Sequence, residues 1–74
     1  MKLVEIRRVR LMTTRELSQK AGVSRQTIID IENGRGHPAL STIRKLSEAL
    51  EVDPMEVNEF RDAIRGIELA PTTA

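Results

Sequence analysis

The sequence predicts an all-α fold, five short helices packed as one compact domain, and three observations carry that expectation. Apolar residues recur at intervals of three and four along most of the chain. Capping residues and breakers cut that pattern into separate short segments. Within it, the stretch TRELSQKAGVSRQTIIDIEN from Thr14 to Asn33 has the spacing of two helices locked at a steep angle.

Each helix follows from its own residues. Leu3, Ile6 and Val9 stand three apart, which places the first helix from about Lys2 to Arg10, with Met12 packing as the chain turns. Thr13 and Glu16 form a capping box, so the second helix runs from Thr14 to about Ala21. Gly22 closes it, because glycine takes the left-handed conformation that redirects the chain. Ser24 caps the third helix, and Asn33-Gly34 ends it with residues that tolerate positive φ. Leu17, Ile28 and Ile31 face inward between these two helices, and Ser18 is small enough to permit a close crossing.

The breakers of Arg35-Gly36-His37-Pro38 make a loop, after which Leu40, Ile43, Leu46 and Leu50 mark the buried stripe of the fourth helix. Glu51 occupies the place where a terminating glycine is usual. Asp53-Pro54-Met55-Glu56 reads as a second capping box, with proline at the first helical position, and predicts that the fifth helix starts there. Val57, Phe60, Ile64 and Ile67 continue it as an amphipathic helix to about Arg65, with Gly66 as a candidate end. The expected organisation is a domain over 1–69, with its core at 3–60 and a helical extension at 61–69. Residues 70–74, small and uncharged, are expected to fray as a tail.

Composition limits what such a domain can do. A chain of 74 residues buries too little surface to build both a core and a deep active site, and no carboxylate pair sits in a catalytic setting. An enzyme is therefore not expected, and no cofactor is implied. There is no cysteine for a disulfide or thiolate site, and the single His37 has no ligand partner at metal-binding spacing, so it reads as an exposed loop residue. The amino-terminal MKLVEIRRVRL alternates charge with apolar residues where a signal peptide needs an unbroken apolar core. Neither membrane nor secretion is expected, and a cytoplasmic, nucleoid-associated setting fits.

The net charge of +1 hides a division. Residues 1–45 carry +6 and residues 46–74 carry −5, which predicts a basic face for phosphate and an acidic face turned away. Solvated helix surfaces of no special function would look the same by charge alone.

The TxxE box at Thr13–Glu16, then AGVS, SRQTI, IENG and the run of Pro38, Leu40 and later leucines occur in one order. Together they resemble the lambda-repressor-like, Xre-type helix-turn-helix family of bacterial and phage regulators, over roughly Leu3 to Phe60. The resemblance implies a five-helix DNA-binding domain that acts as a homodimer on an operator with two half-sites. It makes the third helix the recognition helix, whose amino-terminal residues reach base edges in the major groove.

On that helix, Gln26, Ile29, Asp30 and Asn33 gather on the outward side, with Arg25 and Thr27 flanking the first turn. Arg25 has the fork for guanine O6 and N7, Gln26 suits adenine N6 and N7, and Thr27 offers a hydroxyl or a methyl to thymine. Arg25 also suits a phosphate, which carries no sequence information. Ile29 fits a thymine methyl or an apolar partner protein. Asp30 puts a negative charge where phosphates are dense, which leaves it to accept from a cytosine amine or to be neutralised by a neighbouring arginine.

Phosphate contacts are expected from Thr14, Arg15 and Ser24 at helix starts, and from Asn33 and Arg35 after the third helix. The family often has glutamine in place of Thr14, which reaches further; Asn33 also reads as a simple helix terminator. Arg7 and Glu32 match positions that pair in the family, which implies a bidentate brace between the first and third helices.

Phe60, Ile64, Ile67 and Leu69 extend an apolar stripe past what a five-helix core requires. Either the segment folds back to enlarge the core, or it forms a surface for dimerisation or a partner. The expected activity is sequence-specific binding of double-stranded DNA by a transcriptional repressor or autoregulator. The alternative is a protein-interaction module of the same fold, such as an antitoxin or an adaptor subunit, for which Ile29 and Asp30 speak.

Overall fold

The computed structural model describes the backbone of residues 1–69 and the side chains of residues 1–66. The expected tail at 70–74 and the side chains of Ile67 and Leu69 lie outside the described residues. Five helices follow in order: α1 Leu3–Val9, α2 Thr14–Ala21, α3 Arg25–Glu32, α4 Leu40–Leu50 and α5 Asn58–Leu69. A single 3-10 turn, Pro54–Glu56, stands between α4 and α5. The fold is all-α, with no strand among the described residues.

The core is aliphatic apart from one ring. Leu3 and Ile6 of α1, Leu17 of α2, Ile28 and Ile31 of α3, and Ile43, Leu46, Ala49 and Leu50 of α4 meet Val57, Phe60 and Ala63 from the carboxyl-terminal segment. Met12, Ala21, Val23, Val52 and Ile64 pack around its edge. Such an arrangement follows from the three- and four-residue periods, since each helix turns one stripe inward. α2 packs against both α3 and α4, so the central helix of the bundle is also the first helix of the motif.

Local chemistry fixes the ends of the early helices. Thr13 Oγ1 accepts the Glu16 N–H at 3.1 Å while Glu16 Oε1 accepts the Thr13 N–H at 3.0 Å, a reciprocal box. Gly22 adopts φ 70° and lets its N–H reach Ser18 O, which ends α2 and begins the turn. The Ser18 hydroxyl then donates to Val23 O, tying α2 to that turn. At Ser24 the hydroxyl accepts the Thr27 N–H at 3.2 Å and starts α3.

Four expectations need correction. Leu40 is not part of the buried stripe of α4: as the first residue of that helix it lies beyond the core and is 53% exposed. α5 begins at Asn58 and not at Pro54, because Asp53 caps Met55, two residues on, at 2.9 Å, and the segment closes as a 3-10 turn. Val57 then leaves helical geometry at φ −97° and ψ 118° before α5 starts. Gly66 does not end α5, which continues to Leu69. Phe60 supplies no surface for a partner: it is 0% exposed and is the largest fully buried side chain. A lone aromatic in a small aliphatic core fills volume that no other residue can, and burial of its ring outweighs exposure on an interface.

The amino terminus is built into the fold. Met1 donates its ammonium to Glu56 O at 2.8 Å and to Asn58 Oδ1 at 3.2 Å, and its carbonyl accepts the Asn58 N–H at 2.8 Å. Glu59 Oε1 accepts the Leu3 N–H at 2.9 Å, supplying an acceptor for a free donor at the start of α1. The starts of α1 and α5 therefore fasten each other.

Candidate nucleic-acid interface

α2 and α3 meet through the turn at Gly22, and α3 buries Ile28 and Ile31 while its first turn stays outside. Arg25 and Gln26 are exposed; Thr27, Ile29 and Asp30 are half-buried. No carboxylate among the described residues lies within ion-pair distance of Arg25, so its guanidinium charge is free for a ligand. Thr27 Oγ1 lies 2.7 Å from Ser24 Oγ, so both hydroxyls of the first turn are engaged with each other. That engagement leaves the Thr27 methyl as its uncommitted group.

Asp30 is linked inside the chain. Gln26 Nε2 donates to its Oδ1 at 2.9 Å, and Arg35 Nη1 stands 3.9 Å from the same oxygen. The Arg35 N–H also donates to Asp30 O at 2.8 Å, which draws the loop back against the end of α3. Two of the groups expected to meet DNA, Gln26 and Arg35, are thus arranged around the carboxylate of a third, Asp30. Sequence reasoning missed the Gln26–Asp30 link, although its four-residue spacing is the signal that two side chains share a helix face.

Around this face stand the residues suited to phosphate. Thr14 is half-buried and Arg15 exposed in the first turn of α2, whose early N–H groups carry the positive end of the helix dipole. Asn33 caps α3 through its backbone, with N–H directed to Ile29 O and Ile31 O, and its side chain is exposed. Gly34 turns the chain at φ 73°, and Arg35 follows, exposed. Arg15, Arg25 and Arg35 give these elements three exposed guanidinium groups.

Behind the face sits an ion pair that sets its angle. Arg7 Nε donates to Glu32 Oε2 at 2.8 Å and Nη2 to Glu32 Oε1 at 3.2 Å, a bidentate pair with side chains only 13% and 11% exposed. The third nitrogen, Nη1, donates to Met12 O at 2.9 Å. One guanidinium therefore holds α1, the turn after it and the last residue of α3.

Among the described residues, no group of three His, Asp or Glu side chains could hold a metal ion. Nor is any described helix long and apolar enough to cross a membrane.

The comparisons with known proteins agree with this architecture. A family model described as helix-turn-helix matches residues 4–57, more than half of the chain. The chain belongs to that helix-turn-helix family, in its lambda-repressor-like, Xre-type form. Among relatives, it is 47% identical over 51 residues to RghRB of Bacillus subtilis, an HTH-type transcriptional regulator, covering 68% of this chain and 37% of that one. It is 40% identical over 45 residues to an HTH-type transcriptional regulator of Methanothermobacter thermautotrophicus, covering 61% of this chain and 65% of the relative. A third relative of the same description, from Methanocaldococcus jannaschii, is 36% identical over 61 residues, 82% of this chain and 92% of its own length. The chain thus spans less than two thirds of the first two relatives and nearly all of the third. No solved structure gives a significant match.

Proposed function

We propose that the chain is a sequence-specific, double-stranded DNA-binding regulator of transcription, a repressor or autoregulator that occupies an operator as a homodimer. The observation that carries this reading is the first turn of α3, where Arg25 and Gln26 project into solvent while Ile28 and Ile31 anchor the helix beneath them. Placed in the major groove, Arg25 faces guanine and Gln26 faces adenine, while the Thr27 methyl suits thymine. Arg15 and Arg35 neutralise phosphates on either side, with Thr14 and Asn33 as hydrogen-bonding partners.

Dimerisation follows from the small number of base contacts. One domain reads few base pairs, and two-fold duplication of half-sites about 34 Å apart is the usual remedy. We assign dimerisation to the carboxyl-terminal part of α5 that carries Ile64, Ile67 and Leu69. Binding selection from a random DNA pool tests the whole reading: it should return a two-fold-symmetric site. Affinity for that site should then fall steeply with salt, with a logarithmic slope of about −0.9 per phosphate contacted. A pool that enriches nothing, with a flat salt response, would transfer the chain to the protein-interaction class.

A further inference from the structure

We propose that Asp30 is a positioning residue that fixes the Gln26 amide, so that Gln26 reads adenine and rejects guanine. The inference rests on the DNA-binding reading above and adds to it the base chosen at one step and the residue that chooses it.

The argument begins with which end of the amide faces Asp30. An ionised carboxylate only accepts hydrogen bonds, so the Gln26 atom 2.9 Å from Asp30 Oδ1 has to be Nε2, the donor. One of its two N–H groups is thereby used. What remains outward is one N–H and the carbonyl Oε1, a donor beside an acceptor. Adenine offers the complement in the major groove, an N6 amine that donates and an N7 that accepts.

Guanine offers two acceptors, O6 and N7. A free glutamine can turn its NH₂ group outward and donate both hydrogens to them. Gln26 cannot do so while Asp30 holds one hydrogen, and its Oε1 would then confront a second acceptor. Asp30 itself is well placed to persist in this role. It sits in the last full turn of α3, and Arg35 Nη1 stands 3.9 Å from the same Oδ1 that Gln26 engages. Arg35 is exposed, so that contribution is small and its use is to offset the charge.

The same carboxylate opposes DNA binding in general, since it brings a negative charge close to phosphates. Removing it therefore has two effects of opposite sign, and no merely structural role for Asp30 produces that pair. Asp30→Ala should bind random duplex more tightly than wild type, while its preference for adenine over guanine at the Gln26 step falls by about tenfold. Asp30→Asn loses the charge but keeps an Oδ1 acceptor for Gln26 Nε2, so it should bind random duplex more tightly and retain the adenine preference within about twofold. Gln26→Ala identifies the step by erasing its preference, and Gln26→Ala with Asp30→Ala should lose no more than Gln26→Ala alone.

The experiment is a competition assay of wild type and these variants on the selected site and its single-base derivatives, with thermal melts to verify folding. Loss of preference in Asp30→Ala, its retention in Asp30→Asn and non-additivity in the double variant support the proposal. An Asp30→Ala variant with unchanged adenine preference overturns it. So does guanine as the preferred base at the step that Gln26→Ala erases, and either result leaves the DNA-binding reading standing. Wild type without any sequence preference overturns both.

Discussion

Four helices of this molecule are followed by a residue with positive φ, and the two pairs differ. The helices of the motif, α2 and α3, are followed by Gly22 at φ 70° and Gly34 at φ 73°. The flanking helices, α1 and α4, are followed by Leu11 at φ 57° and Glu51 at φ 56°. A side chain in the left-handed region costs about 1–2 kcal/mol, because its Cβ crowds the following carbonyl. The turns that orient the recognition helix are thus unstrained, and the strain lies in turns at the edges.

Those flanking turns persist because other contacts hold them. The Leu11 N–H donates to Arg8 O and the Met12 N–H to Arg7 O, while Glu51 and Val52 repeat the pattern with Glu48 O and Ser47 O. Each uses the last carbonyls of its helix in the way a glycine terminator does. Leu11 gains nothing from its side chain, which is 89% exposed. Nothing in the structure explains leucine there.

Six substitutions at five positions test the contrast, from the largest effect to the smallest. Phe60→Ala removes the ring at the centre of the flanking half and should lower stability by about 4 kcal/mol, read as a shift in the denaturation midpoint. Its effect should spread over the whole domain, since α1, α4 and α5 all close on the same core.

Arg7→Ala attacks the motif half. It leaves Glu32 unpaired at 11% exposure and frees Met12 O, so it should cost roughly 3 kcal/mol and weaken DNA binding as well. Unchanged thermal stability in this variant would count against the brace. Arg7→Lys should recover little, because a single ammonium cannot make the forked contact to two carboxylate oxygens and Met12 O.

Gly22→Ala isolates the backbone alone. A Cβ there meets nothing within 4 Å, so the loss, about 1 kcal/mol, comes from the left-handed conformation and not from a clash. The reverse changes, Leu11→Gly and Glu51→Gly, should each stabilise by about 0.5 kcal/mol, less than the strain they relieve because glycine also loosens the unfolded chain. Melting curves that show Leu11→Gly less stable than wild type would mean that its side chain is held by contacts that its exposure does not reveal.

The same contrast separates what could be read in the sequence from what could not. Thr13 with Glu16, Gly22, Ser24 and the Asn33-Gly34 pair act on neighbours within a few residues, so each helix end in the motif follows from local chemistry. The second box misled because Asp53 and Glu56 have the spacing of an α-helical start, but Pro54 and the extended Val57 close that segment as a 3-10 turn. Phe60 misled for another reason. An apolar residue on an amphipathic helix looks the same in sequence whether it meets its own core or another molecule, and only packing decides. The ties from Met1 to Asn58 and from Leu3 to Glu59 bridge more than fifty positions, and no spacing rule reaches that far. At the candidate interface, Arg25 and Gln26 were legible as outward positions from the helical period. The linkage of Gln26, Asp30 and Arg35 depends on side-chain rotamers and on how the loop after α3 folds back.

The guanidinium of Arg7 joins α1, the bend after it and α3 as one rigid block, much as a gusset stiffens the corner of a frame. When such a block meets a duplex that is curved or overwound, the reader cannot tilt independently of its supports. Accommodation then falls to the duplex: α3 is packed on α2, which packs on α4, and α1 is fastened to α5, so the nucleic acid has to yield to the shape of the reader.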